Sequence, residues 1–171
     1  MKASATTDNQ NELFVVVDKS DKIIGYRTRF ECHHNKELIH RAAGVVILNN
    51  QGQILLQKRS KNKDTHPGLY TISASGHVNK GETYMQAAKR ELKEELGVTI
   101  TSPLRRKIKF LMKLESESEI DCLFLTKHEG PFFPNKEEID ELKFVTPDRI
   151  KQMLSLLTPF AVTNFKQLGI L

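Results

Sequence analysis

Apolar positions along the chain change their spacing in a readable order. Short apolar runs at 13–17 and 23–26 flank Asp18-Lys19-Ser20-Asp21-Lys22, the pattern of a small hairpin. The stretch 30–38 is ambiguous and compatible with a helix. A β-rich apolar run at 42–48 leads through Asn49-Asn50-Gln51-Gly52 into 54–58, which predicts a second hairpin. Residues 60–68 are a polar loop, 69–75 a third strand, and 78–83 the loop into a helix. Runs at 104–114 and 119–126 read as two antiparallel strands about Glu115-Ser116-Glu117-Ser118. Glu137-Glu138-Ile139-Asp140-Glu141 is an acidic, loop-like stretch before a short strand at Phe144-Val145. Thr146-Pro147-Asp148 then supplies a cap, an N1 proline and an acidic first turn for a helix ending near Leu157, and Thr158-Pro159 repeats the device for a last helix. This order of strands, one helix, more strands and terminal helices predicts a mixed α+β (α/β) domain.

The helix at 84–96 is the clearest element. Ala, Leu, Met, Lys, Glu and Gln dominate it, Thr83 is a natural start, and Gly97 stands at the C′ position. Ala87, Ala88, Leu92 and Leu96 form one stripe, and Glu91, Glu94 and Glu95 share another. Three carboxylates that close repel each other by about 0.2–0.5 kcal/mol per pair. Two readings follow. The stripe is a solvated face neutralised by Lys89, Arg90 and Lys93, or it is a site for a hard divalent cation such as Mg²⁺ or Mn²⁺, which takes oxygen ligands and bridges carboxylates to phosphates.

Composition sets the class. With 171 residues, 39% hydrophobic and 27% charged, the chain is expected to be one soluble domain. No apolar run reaches the roughly 18 residues a membrane span needs, and residues 1–10 lack the apolar core of a signal peptide, so a cytoplasmic protein is expected. Cys32 and Cys122 have no metal or redox spacing. The net charge of +5 is concentrated in 58–63 and 105–109 and suits either an anionic ligand or a merely soluble basic surface. No basic strand carries the aromatics that stack bases, which makes nucleic acid an unlikely partner.

Residues 76–98 read GHVNKGETYMQAAKRELKEELGV. Gly76, five residues, Glu82, seven residues and then Arg90-Glu91-Leu92-Lys93-Glu94-Glu95-Leu96-Gly97-Val98 resemble the Nudix box of the Nudix hydrolase superfamily at every defined position. The resemblance implies an α/β/α sandwich with a mixed β-sheet over roughly 37–157. It divides the chain into a flexible tail (1–11), an N-terminal accessory hairpin segment (12–36) and a Nudix domain with C-terminal helices (37–171). It also implies divalent metal bound by Glu91, Glu94 and Glu95 with Gly76 and Glu82 in the same set, Arg90 fixing the helix through Glu82, and one of the glutamates acting as base. Gly76 has its own reason to be glycine, since backbone must come close to metal or substrate at a strand end. Glu137 and Glu138 are the candidates for a further base, of which Glu138 joins the catalytic set. The accessory hairpin could pair two copies of the chain as a homodimer.

A narrower resemblance lies in HRAAGVVILNNQGQILLQKRSKNKDTHPGLYT, which is similar to the type 1 isopentenyl-diphosphate isomerases of the same superfamily. Their metal set of three histidines and two glutamates matches His33, His40, His77, Glu117 and Glu119 here. A lone histidine is more often structural than ligating, and His34, His66 and His128 have no such match. Two residues before His77, where the isomerases carry a catalytic cysteine, this chain has Ser75, whose hydroxyl cannot replace a thiol in acid–base chemistry near neutral pH. Arg59 and Lys63 are candidate phosphate clamps and Tyr70 a candidate stacking residue, each with a plain alternative as loop or core. The expected function is a Mg²⁺- or Mn²⁺-dependent hydrolase of a nucleoside diphosphate-X type of small molecule. A prenyl-diphosphate isomerase and a nucleotide-sensing module are the alternatives.

Overall fold

Four of the five residues of β1 (Leu13–Val17) are buried, whereas β2 (Ile23–Thr28) is mostly exposed, because β2 is the outer strand of the sheet order β2-β1-β3-β4-β5. The protein is described by a computed structural model over residues 8–171. The first seven residues of the expected tail lie outside the described residues. Residues 8–11 are tied down: Gln10 carbonyl accepts from Phe30 N–H at 3.1 Å. Thr28 and Glu31 form a reciprocal capping box that starts α1 (Arg29–His33), so the ambiguous 30–38 stretch is helical only as far as His33 and turns from there to 38.

Strand β3 (Ile39–Leu48) is the spine. It pairs antiparallel with β1 and in parallel with β8 (Ser118–Lys127) along its whole length, placing His40 beside Glu119. Both of its faces are buried, which is why it reads as a continuous apolar run. The hairpin expected with β4 (Ile54–Arg59) exists only at its turn, where Leu48 faces Ile54 and Asn49 Oδ1 accepts from Gln51 and Gln53 N–H. Beyond the turn Ser73 is wedged between the strands. Its Oγ accepts from Ile47 N–H at 2.8 Å and donates to Leu55 carbonyl at 2.7 Å. The same wedge corrects the single strand expected at 69–75. It is split into β5 (Tyr70–Thr71), which pairs with β4, and β6 (Ala74–His77), which pairs with β3.

Helix α2 (Tyr84–Leu96) follows the sequence reading at both ends, with a Thr83–Gln86 capping box and a left-handed Gly97 at φ 66°. Ala87, Ala88, Leu92 and Leu96 pack with Val45, Ile47 and Cys122 on one face of the sheet. β7 (Arg105–Lys113) joins antiparallel to β8 as expected. β9 (Ile139–Val145) pairs with β4 and is longer than the expected two residues. The acidic residues hid it, for Asp140 and Glu141 are exposed while Ile139 is fully buried. On the other face, α3 (Pro147–Gln152), a 3₁₀ turn at Leu154–Leu156 and α4 (Pro159–Gln167) cover Val46, Leu56, Ile72 and Leu123 with Ile150, Met153, Ala161 and Phe165. Helices on both faces of a mixed sheet make the expected α/β/α sandwich. No helix among the described residues is long and apolar enough to cross a membrane.

Candidate metal centre and substrate cavity

The end of β6, the carboxylate face of α2, helix α1 and the β7–β8 turn open on one cavity of about 280 Å³, which Thr158 and Phe160 at the start of α4 also line. Its floor is set by Arg90. The guanidinium donates to both Glu82 oxygens (2.8 and 3.1 Å), to His77 carbonyl (2.9 Å), to Glu91 Oε1 (2.5 Å) and to Glu94 Oε2 (3.0 Å). One cation thus relieves the repulsion within the stripe and locks α2 to β6. Glu82 also accepts from Asn79 N–H, so it anchors Arg90 to the loop before α2.

Glu91 and Glu95 are buried and Glu94 is open to solvent. Burial, only partly offset by Arg90, raises the Glu91 carboxyl to about 7. Burial and then the charge of Glu91 push Glu95 well above the usual range. Glu95 Oε2 accepts from Gln57 Nε2 (2.9 Å) and Ser75 N–H (3.1 Å). A Cβ on Gly76 would overlap the Glu91 carboxylate, so glycine is required there.

At the far end, His33 Nε2 lies 3.2 Å from His77 Nε2 and 3.0 Å from Glu117 Oε2, and His40 Nε2 lies 3.6 and 3.7 Å from Glu117 and Glu119. One ligand atom from each of His33, His40, His77 and Glu117 falls within 4.8 Å of the others. Phe14 stacks on the His77 ring with centroids 3.9 Å apart and fixes its plane. Burial drives His40 down to about 4 and His77 well below its ordinary value, so both imidazoles are neutral and able to ligate. His40 Nε2 and Glu119 Oε1 are buried without a hydrogen-bond partner. Unsatisfied buried donors and acceptors are costly, and a cation among them removes the cost.

The remaining wall is cationic. Arg59 is held against Thr65 by bonds to its carbonyl (2.8 Å) and hydroxyl (3.0 Å), and Lys63 reaches Glu138 Oε2 at 3.3 Å. Glu138 lines the cavity. Tyr70 is buried, its hydroxyl donates to Glu141 at 2.7 Å, and Lys143 covers its ring. Sequence reasoning missed Arg29, which lines the cavity and pairs with Asp64 at 3.1 Å. The signal was available in Thr28-Arg29-Phe30-Glu31, a capping-box spacing that sets Arg29 at the first turn of α1. It also missed Gln57, for which the sequence offers no sign.

A sandwich with a complete carboxylate box at the mouth of its cavity defines a Nudix-type protein. A family model described as the NUDIX domain matches residues 38–166, and the chain belongs to that family. An uncharacterized Nudix hydrolase of Yersinia pestis is 34% identical over 144 residues, covering 84% of this chain and 78% of that protein. Isopentenyl-diphosphate Delta-isomerase 2 of Photorhabdus laumondii is 30% identical over 163 residues, covering 92% and 90%. The crystal structure of DR0079 from Deinococcus radiodurans superposes with a TM-score of 0.74 at 25% identity, covering 84% of this chain and 89% of that one.

Proposed function

We propose that this protein is a Mg²⁺- or Mn²⁺-dependent hydrolase of small-molecule diphosphates of the nucleoside diphosphate-X type. The observation that carries the reading is a single cavity in which the Glu91, Glu94 and Glu95 carboxylates face Arg29, Arg59 and Lys63. The all-oxygen box suits Mg²⁺ or Mn²⁺, with Gly76 leaving room for it, and the histidine–glutamate cluster adds imidazole nitrogens for a divalent transition-metal ion. A divalent ion held there supplies charge against the diphosphate and acidifies water. The chain's own residues do the rest. Arg59 and Lys63 hold phosphate oxygens, Arg90 keeps the box carboxylates in register, and Glu138 takes the proton from the attacking water. With Glu95 Oε2 fixed by two donors, its Oε1 is the oxygen left for ligand work.

A second reading, isomerisation of a prenyl diphosphate, is favoured by the intact histidine–glutamate cluster and opposed by Ser75. Phosphate release across nucleoside diphosphate derivatives and isopentenyl diphosphate, with and without Mg²⁺ or Mn²⁺, separates the two. Glu94→Gln and Glu95→Gln are expected to lower turnover by at least about a hundredfold with the circular-dichroism spectrum unchanged. Retained turnover in either variant refutes the assignment.

A further inference from the structure

The cationic wall carries an anion supplied by the chain itself. Asp8 Oδ1 lies 2.6 Å from Lys63 Nζ and 3.6 Å from Arg29, and Asp8 Oδ2 accepts from Asp64 N–H at 3.3 Å. The Asp8 side chain is 9% exposed and borders the cavity. Two cations and a backbone N–H converging on one carboxylate are the donor set that a phosphate oxygen needs.

We infer that Asp8 is an intramolecular competitor, its carboxylate sitting in an anion subsite that one phosphate of the substrate must take over before the cavity can fill. This rests on the diphosphate reading above. Burial alone would make Asp8 hard to ionise, but Lys63 and Arg29 more than offset it and hold it well below the usual carboxylate range. The subsite is tuned rather than simply basic. Arg29 is also bound by both oxygens of Asp64, and Lys63 also faces Glu138, so displacement of Asp8 by a doubly charged phosphate replaces a single charge with a stronger one. The segment can release Asp8 without unfolding α1. Gln10 and Glu12 carbonyls accept from Phe30 and Arg29 N–H (3.1 and 2.8 Å), so backbone anchors remain two residues beyond it. Monoanionic ligands would gain little from the exchange, so Asp8 also biases the cavity toward dianionic phosphate ends.

The test is calorimetric titration of the full chain with methylenediphosphonate, a diphosphate that cannot be hydrolysed, at saturating Mg²⁺. Wild type, Asp8→Asn, Asp8→Ala, Lys63→Ala and the Asp8→Asn/Lys63→Ala pair are compared. Removing the Asp8 charge is expected to tighten binding by about tenfold, the size of one charge-assisted contact withdrawn from competition. In the Lys63→Ala background the gain should shrink to less than about threefold, which a general loosening of the N-terminal segment would not produce. Equal or weaker binding by Asp8→Asn overturns the inference and leaves the diphosphate reading standing. Absence of binding by every variant overturns both.

Discussion

Burial and the Glu91 charge raise the Glu95 carboxyl, and an uncharged neighbour, Gln57, holds one of its oxygens in place. Gln57 Nε2 donates both to Glu95 Oε2 and, at 3.3 Å, to the Ser73 carbonyl, so both hydrogens of its amide nitrogen are used. Gln57→Ala is expected to weaken Mn²⁺ binding by about tenfold, read from the electron paramagnetic resonance of the free ion, while the fold persists. Glu91 offers a pH test. Its folded carboxyl titrates near 7 against 4.5 for the ordinary group, so between about 4.5 and 7 the native state binds more protons than the unfolded one and stability falls as pH rises. His40 and His77, depressed by burial, bind fewer protons when folded and give a slope of the opposite sign below 6.5. The isolating measurement is therefore a difference. In metal-free urea titrations, Glu91→Gln should gain on wild type as pH climbs from 4.5 to 7, by up to about 3 kcal/mol. A constant difference would contradict it. At this scale the box residues were legible because their spacing is fixed by one helix. The surroundings of Glu138 and Tyr70 were not, since each depends on which way a strand-borne or loop-borne side chain turns.

Helix α2 was readable end to end because everything that defines it is local: a capping threonine, an unbroken run of helix formers and a left-handed glycine. Thr83→Ala removes the acceptor for Gln86 N–H and is expected to cost about 1 kcal/mol in chemical unfolding while leaving Mn²⁺ affinity unchanged, since the cap lies away from the carboxylate turn. The strands were read less well, for a physical reason in each case. The break between β5 and β6 arises from Ser73 bonding to two strands far away in sequence. β9 carries a charged exposed face that alternation alone could not separate from a loop, and only the burial of Ile139 and Val145 against β4 reveals it.

Across the whole molecule, the candidate ligands come from α1, β3, β6, α2 and the turn before β8, and a bound ion would tie these pieces together. Mn²⁺ added to chelator-treated protein is accordingly expected to raise the melting temperature, with a smaller rise in His77→Ala, as binding to the native state alone requires. No rise in either protein would count against the histidine–glutamate cluster as a metal centre. The layered architecture could be inferred from the order of elements, but the parallel ladder of β3 with β8 could not, because no periodicity reports which strand lies beside which. That ladder also governs how the molecule must assemble. His40 meets Glu119 only after the 78 residues between them have been gathered, and β4, β5, β6, α2 and β7 all lie inside that loop. Such non-local pairing is expected to slow folding, and the histidine–glutamate cluster can assemble no earlier than the topology itself closes.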